Sequence, residues 1–177
     1  MKNVSTKMLI GLITLVFGIC FLTANAQYGV FDSEYYKGTG IDFKCTGGLV
    51  LPDSSIMITG KFVYANERHI NGLVKLKKDG SVDYSFNTGT GANDHVNVIV
   101  RQPDGKLVIG GDFTRFNNQT FNRIARLNSD GSLDTSFHAG TGFNNSVYAL
   151  YLQADGKIMV AGLFTTFNGT SANRIVR

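Results

Sequence analysis

The sequence predicts an all-β fold in which antiparallel, four-stranded blades recur every 51 residues, as a partial β-propeller of about three blades. Three observations support this prediction. The chain repeats itself at a constant spacing without gaps. Short runs of valine, isoleucine and leucine alternate with turn residues, which is typical of strands. The 177 residues include 21 glycines and 2 prolines, a composition that favours tight turns over helices.

The repeat is most regular in the second half of the chain. Residues 102–106 (Gln-Pro-Asp-Gly-Lys) match residues 153–157, and residues 122–124 (Asn-Arg-Ile) match residues 173–175, both at an offset of 51. A more degenerate copy precedes them at the same offset. We therefore interpret residues 27–177 as a propeller-type repeat region. It comprises the final strand of one blade and three repeats, the last incomplete, at about residues 28–40, 41–91, 92–142 and 143–177.

Each repeat is predicted to hold four antiparallel strands. In the second repeat, Val96, Val98 and Val100 alternate with other residues as the first strand. Pro-Asp-Gly and Asp-Gly turns separate the later strands. Those strands and the Gly-Thr-Gly crossing to the next blade are predicted at residues 107–109, 123–127, 133–137 and 140–142. Four strands in about 50 residues is the size of a kelch-like blade.

The number of repeats is smaller than a closed ring requires, because known propellers contain about four to eight blades. We expect the chain to continue into further blades, and the alternative is assembly of several copies into one ring. Residues 28–40 align with the fourth strand of a blade. Propellers often close when such an N-terminal strand completes the last blade, so this segment is expected to do so here.

Residues 1–26 have the layout of a secretory signal peptide. Lys2 and Lys7 precede an apolar run of 15 residues, and small residues then prepare cleavage between Ala26 and Gln27. The run is shorter than the roughly 20 residues that a membrane span needs. The sequence thus predicts a secreted or cell-surface protein with no membrane span after cleavage.

Charge and cysteine content exclude several classes of partner. The net charge of +4 falls to +2 when Lys2 and Lys7 are removed, and no clustered basic stripe points to nucleic acid. Cys45 is then the single cysteine, and its repeat position predicts a buried apolar role rather than a disulfide or zinc ligand. Seven aspartates recur at turn or strand positions of the repeats, which indicates turn formers rather than catalytic acids. We expect no cofactor and no metal; residues 128–134 resemble a calcium loop only vaguely.

Residues 102–137 also carry a family resemblance. The series Gln-Pro-Asp-Gly-Lys, Gly-Gly-Asp-Phe-Thr and Asn-Arg-Ile-Ala-Arg-Leu-Asn-Ser-Asp-Gly-Ser-Leu-Asp-Thr-Ser-Phe is similar to the delta-60 repeat. Residues 153–177 match it well and residues 51–86 loosely. The resemblance implies a propeller-like fold in large exported bacterial proteins, often at the cell surface, and it implies no catalytic residues.

The strongest candidates for a binding site lie in the loop between the second and third strands. There an aromatic ring, an amide and a guanidinium recur, a set that could stack on and hydrogen-bond a glycan or peptide. The alternative is that the rings pack between blades and the amides cap turns. The candidate residues are Phe116, Asn117, Arg123, Phe167, Asn168 and Arg174.

Three functions remain open. The leading hypothesis is an exported, non-catalytic scaffold that binds a protein or glycan. The alternative is an enzyme, for example one acting on polysaccharides, whose catalytic part is partly missing here. Such an enzyme would need polar groups clustered toward the propeller axis, and the degenerate stretch Glu67-Arg68-His69 is the one place that hints at this. A purely structural spacer is the third possibility.

Overall fold

A computed structural model describes Ile41 and residues 44–65 and 68–177. The predicted signal peptide and the predicted closing strand at residues 28–40 lie outside the described residues. All regular elements that are described are β-strands, and every strand pair is antiparallel. The fold is therefore all-β, as the sequence predicts.

Three equivalent units follow one another along the chain. Each has a three-stranded sheet and a separate two-residue hairpin between the second and third sheet strands. The first unit contains β1 (Cys45–Val50), β2 (Ile56–Gly60), β3 (Tyr64–Ala65), β4 (Arg68–His69) and β5 (Leu73–Leu76). The second contains β6 (Val96–Arg101), β7 (Leu107–Gly111), β8 (Arg115–Phe116), β9 (Gln119–Thr120) and β10 (Ile124–Leu127). The third contains β11 (Val147–Leu152), β12 (Ile158–Gly162), β13 (Thr166–Phe167), β14 (Thr170–Ser171) and β15 (Ile175–Val176).

The predicted fourth strand at residues 133–137 is wrong. Only Leu133 pairs with its neighbour, through one isolated bridge to Leu127. The chain then turns, because the Asp134 carboxylate accepts the backbone N–H of Ser136 at 3.0 Å and the Asp134 carbonyl accepts the N–H of Phe137 at 3.2 Å. Local side-chain and turn hydrogen bonds thus take backbone donors that a strand would need.

A β-bulge lies at the beginning of the first strand of every unit. In the second unit the register shifts between Val96 and Val98, opposite Gly111 and Gly110. A side chain at Gly111 would overlap the carbonyl oxygen of His95, so glycine is required where the bulged backbone approaches. The same shift recurs between residues 45 and 47 and between residues 147 and 149.

The units stack face to face and bury two apolar layers. Between the first and second sheets, Met57 and Leu73 pack in one cluster with Val96, Ile99 and Phe113. The next layer joins the second and third sheets, with Val108, Ile124, Val147, Leu150 and Phe164 in one cluster. Stacking of repeated sheets is how a propeller covers faces that a single blade leaves open.

The first strands of the three sheets, β1, β6 and β11, lie side by side. The Thr46 hydroxyl donates to the Val96 carbonyl at 2.7 Å, and the Asn97 amide donates to the Val147 carbonyl at 3.2 Å. These bonds tie each sheet to the next and bring residues about 50 positions apart together. On the far side of the third sheet, Tyr151 and Ile175 are largely exposed.

Candidate functional site

The two predicted phenylalanines pack against apolar neighbours. Phe116 is fully buried in the layer between the first and second sheets, with its ring centroid 6.3 Å from that of Phe113. Phe167 is half-buried, and its ring centroid lies 4.6 Å from that of Phe143. Both rings therefore support the stacking of the blades, which is the alternative that the sequence left open.

The two predicted asparagines hold the Gly-Thr-Gly crossings. The Asn117 carboxamide oxygen accepts the backbone N–H of Thr90 at 3.2 Å, and the backbone N–H of Asn117 donates to the Gly91 carbonyl at 2.8 Å. Asn168 binds Thr141 and Gly142 in the same way, at 3.0 and 2.8 Å. Both asparagines adopt positive φ values of 49° and 48°, which asparagine tolerates better than most residues.

The two predicted arginines brace the loop that follows the second strand. The Arg123 guanidinium donates to the Asp112 carbonyl, and that of Arg174 donates to the Leu163 carbonyl at 2.7 Å. Arg123 also lines a shallow groove of about 350 Å³ at the junction of the second and third units, beside Asn122 and Thr141. The six predicted residues thus form two equivalent sets, one in the second blade and one in the third.

The repeated aspartates form turns, as predicted. Each accepts the backbone N–H of the residue two positions further on, and this holds for Asp53, Asp79, Asp83, Asp104, Asp130, Asp134 and Asp155. Hydrogen bonds from the serine hydroxyl at that position hold the pKa values of Asp53, Asp79, Asp83 and Asp130 below the ordinary range. A lowered pKa keeps a carboxylate charged and suits a hydrogen-bond acceptor, not a general acid.

A second, larger groove was not predicted from the sequence. It has a volume of about 580 Å³ and lies at the start of the adjacent first strands. We call it the inner-strand groove, and it is lined by Lys44, Thr46, Lys61, His95, Asn97, Asp112 and Tyr148. All three blades contribute to this lining.

The centre of the inner-strand groove is a hydrogen-bonded trio from the second blade. His95 Nδ1 lies 3.1 Å from one carboxylate oxygen of Asp112, and the Asn97 amide donates to the other at 3.3 Å. The second imidazole nitrogen, Nε2, is buried and has no hydrogen-bond partner among the described residues; its nearest carboxylate oxygen, on Asp94, is 3.7 Å away.

The lining residues occupy equivalent positions in the repeats but differ in identity. Thr46, Asn97 and Tyr148 are separated by the 51-residue period, and so are Lys61, Asp112 and Leu163. A search for shared residues passes over such positions, because the blades do not have them in common. The sequence does indicate the groove in another way, because its residues are polar positions whose identity changes from one repeat to the next.

The stretch that hinted at an enzyme lies elsewhere. Glu67 is outside the described residues. Arg68 stacks on the Tyr84 ring at 4.1 Å, and the His69 ring meets the Tyr64 ring edge-on at 5.4 Å. Of the described residues of this stretch, neither Arg68 nor His69 lines the inner-strand groove.

The structure also describes the surroundings of Cys45 and the distribution of possible metal ligands. Cys45 is half-buried beside the apolar cluster of the first blade. The described part of the chain holds no group of three or more His, Cys, Asp or Glu side chains close enough to bind one metal ion. It also contains no helix long and apolar enough to cross a membrane.

Comparison with known proteins identifies the repeat. The family described as "Domain of unknown function (DUF5122) beta-propeller" matches residues 51–86, 102–137 and 153–177. These segments begin 51 residues apart and together cover more than half of the chain. No curated protein and no solved structure matches the chain. Its three matched repeats show that the chain belongs to the DUF5122 β-propeller family.

Proposed function

We propose that the chain is an exported, non-catalytic propeller scaffold, of the delta-60 type, that binds a protein or glycan through the inner-strand groove. One observation carries this proposal. The polar side chains shared by the repeats are engaged in turns and crossings, whereas polar side chains that differ between repeats meet in the inner-strand groove. A concave surface with convergent polar groups is the usual form of a binding site.

The chemistry of the groove favours binding over catalysis. The Thr46 hydroxyl donates to the Val96 carbonyl at 2.7 Å, so it is not oriented toward His95 as a nucleophile would be. Asp112 is fixed by two hydrogen bonds, from His95 and Asn97. A rigid polar lining of this kind suits recognition of a ligand.

Export is supported by the pattern of residues 1–26. N-terminal sequencing of the protein recovered from the medium or cell surface should begin at Gln27. Recovery with Met1 intact inside the cell would contradict export.

An enzyme is the second candidate, and the His95–Asp112 pair favours it. A carboxylate 3.1 Å from one imidazole nitrogen orients the ring, so that the other nitrogen can act as a general base. This arrangement would fit hydrolysis of a polysaccharide if a substrate hydroxyl or water reached Nε2.

A binding array of neutral and acidic polysaccharides and peptides tests the scaffold against the enzyme. The double variant Lys61→Gln/Tyr148→Ala changes the groove, and Lys157→Gln/Tyr84→Ala is its control, because Lys157 and Tyr84 are exposed and lie outside the groove lining. We expect the groove variant to lose about tenfold or more in retention on neutral and acidic polysaccharides or peptides, with the control unchanged.

Two results would count against the proposed function. If both double variants and the unaltered chain were retained equally, the inner-strand groove would not be the binding site. New reducing ends, formed by the unaltered chain and lost in His95→Ala, would instead establish the enzyme. Thermal unfolding of each variant shows whether the fold is intact.

A further inference from the structure

We propose that the inner-strand groove binds a neutral glycan, a polysaccharide whose sugar rings carry hydroxyl groups and no charge. This inference rests on the proposed binding function and adds the chemical class of the ligand. It follows from the charge balance at the groove, from a group of neighbouring hydrogen-bond acceptors and from one exposed aromatic ring.

The formal charges at the groove cancel. Two ammonium groups line it from the first blade, those of Lys44 and Lys61. Two carboxylates of the second blade balance them, that of Asp112 in the lining and that of Asp94 beside His95. Both lysines also make contacts of their own, so neither offers a free charge to a ligand. The carboxylates repel an anion and the ammonium groups repel a cation, whereas an uncharged ligand meets neither repulsion.

The second blade contributes neighbouring hydrogen-bond acceptors. The Asn97 amide nitrogen donates to the Asp112 carboxylate and to the Val147 carbonyl, while its side-chain oxygen accepts from none of the described residues. His95 directs Nδ1 at Asp112, so the neutral imidazole carries its hydrogen on Nδ1 and accepts at Nε2. Nε2 is buried without a hydrogen-bond partner among the described residues, which is uncommon for a polar atom. A hydroxyl donating to Nε2 would satisfy it after a small movement of the ring.

The arrangement of these acceptors favours a glycan over a peptide. His95, Asp112 and Asn97 form one hydrogen-bonded trio, so their acceptors are neighbours. A sugar ring carries hydroxyls on adjacent carbons and can donate to more than one member of the trio. An extended peptide directs backbone N–H groups to one side only at every second residue, about 7 Å apart. A hydroxyl also accepts as well as donates, so the same ring suits lining groups that are donors.

Tyr148 supplies an apolar platform on the third blade. Its side chain is 51% exposed although it lines the groove, so its ring is open to a ligand. A tyrosine ring combines an apolar face with a polar tip, which suits a sugar ring that has both C–H and hydroxyl groups. Its equivalents in the other blades are Thr46 and Asn97, so this platform occurs once in the described repeats. The groove volume of about 580 Å³ accommodates a short stretch of sugar rings.

The test compares neutral polysaccharides with charged derivatives of the same polymers. The full chain is passed over immobilised glucan, mannan and xylan, and over each polymer after some of its hydroxyls have been converted to carboxymethyl groups. We expect at least one neutral polymer to retain the chain, with an apparent affinity that changes less than about twofold between about 50 and about 500 mM salt. The carboxymethyl form of that polymer should bind no tighter than the neutral form.

Substitutions of exposed tyrosines test whether the glycan lies in the groove. Tyr148→Ala should weaken retention about tenfold because the platform is lost. Tyr148→Phe keeps the ring and should remain within about threefold of the unaltered chain. Tyr84→Ala is the matched control, because Tyr84 is 43% exposed and lies outside the groove lining, and it should not weaken retention. Thermal unfolding of each variant checks that the fold is intact.

Each contrary result identifies what fails. Tighter binding of a carboxymethyl form, or retention that falls steeply with salt, would overturn the neutral ligand. Equal retention of Tyr148→Ala and Tyr84→Ala would overturn the placement of the glycan in this groove. Retention of none of the three neutral polymers would overturn the choice of a neutral glycan. The proposed binding function would still stand in that case if the binding array retained a peptide, and it would fail as well if the array retained nothing.

Discussion

Replacing Phe116 with alanine is expected to destabilise the chain by about 4 kcal/mol, the usual cost of removing a buried aromatic ring. Phe116 is fully buried, contacts the Phe113 ring and forms a backbone bridge to Ala92 at the junction of two blades. The cavity would therefore open in the layer that joins the first and second sheets. Urea unfolding followed by circular dichroism measures this loss.

Phe167→Ala is the matched variant at the equivalent position of the third blade. Phe167 is only half-buried, so we expect about half of the loss seen with Phe116. A different outcome would support the binding role that the sequence predicts for these rings. If Phe116→Ala unfolds within about 1 kcal/mol of the unaltered chain but no longer retains a ligand, the ring acts in recognition and not in packing.

Replacing Asp134 with asparagine is expected to cost about 3 kcal/mol, because it removes the anion shared by two cations. The side chain of Asp134 is nearly buried, and one carboxylate oxygen accepts from Lys106 at 2.8 Å and from Arg126 at 2.7 Å. Asp83→Asn is the control at the equivalent position of the first blade. Among the described residues Asp83 pairs with one cation, Lys75 at 3.2 Å, so we expect a loss of about 1 kcal/mol.

The effect of Asp134 should also depend on pH. The Lys106 ammonium, followed by the Ser136 hydroxyl, holds the pKa of the Asp134 carboxyl well below its usual range. A group whose pKa is lower in the folded state stabilises above its unfolded value of about 3.9, and this contribution is lost as the pH falls through the folded value. The difference in unfolding free energy between the unaltered chain and Asp134→Asn should therefore be largest near neutral pH and shrink below about pH 4. A constant difference down to about pH 2 would contradict this explanation.

The sequence predicted the parts of the fold that are set locally. The Asp-Gly turns, the alternating valines and the glycines near the bulges repeat in each blade, and the second and third strands lie where the pattern placed them, to within two residues. The fourth strand was wrong because Leu133–Phe137 has the apolar ends of a strand, yet Asp134 and Ser136 form a turn within it. The hairpin β8–β9 was missed because a two-residue ladder leaves almost no periodicity to detect.

The candidate site could be predicted only in part, since it depends on stacking of the repeats. Asn117 and Arg123 were singled out because they recur, but recurrence in the blades indicates a shared structural task, such as holding a crossing. The inner-strand groove unites Thr46, Asn97 and Tyr148, which are about 50 residues apart and meet only when three first strands lie side by side. A comparison of the aligned repeats for polar positions that differ in residue type identifies these three positions.

The central claim is that residues differing between blades bind the ligand while repeated residues hold the fold. Mapping amide chemical-shift changes by NMR, while the full chain is titrated with the polysaccharide or peptide that the binding array retains, tests this claim most directly. We predict that the largest changes occur at Thr46, Asn97 and Tyr148, with little change at Asn117 and Asn168. Changes confined to Asn117, Asn168 and their neighbours, or no changes anywhere, would contradict the claim.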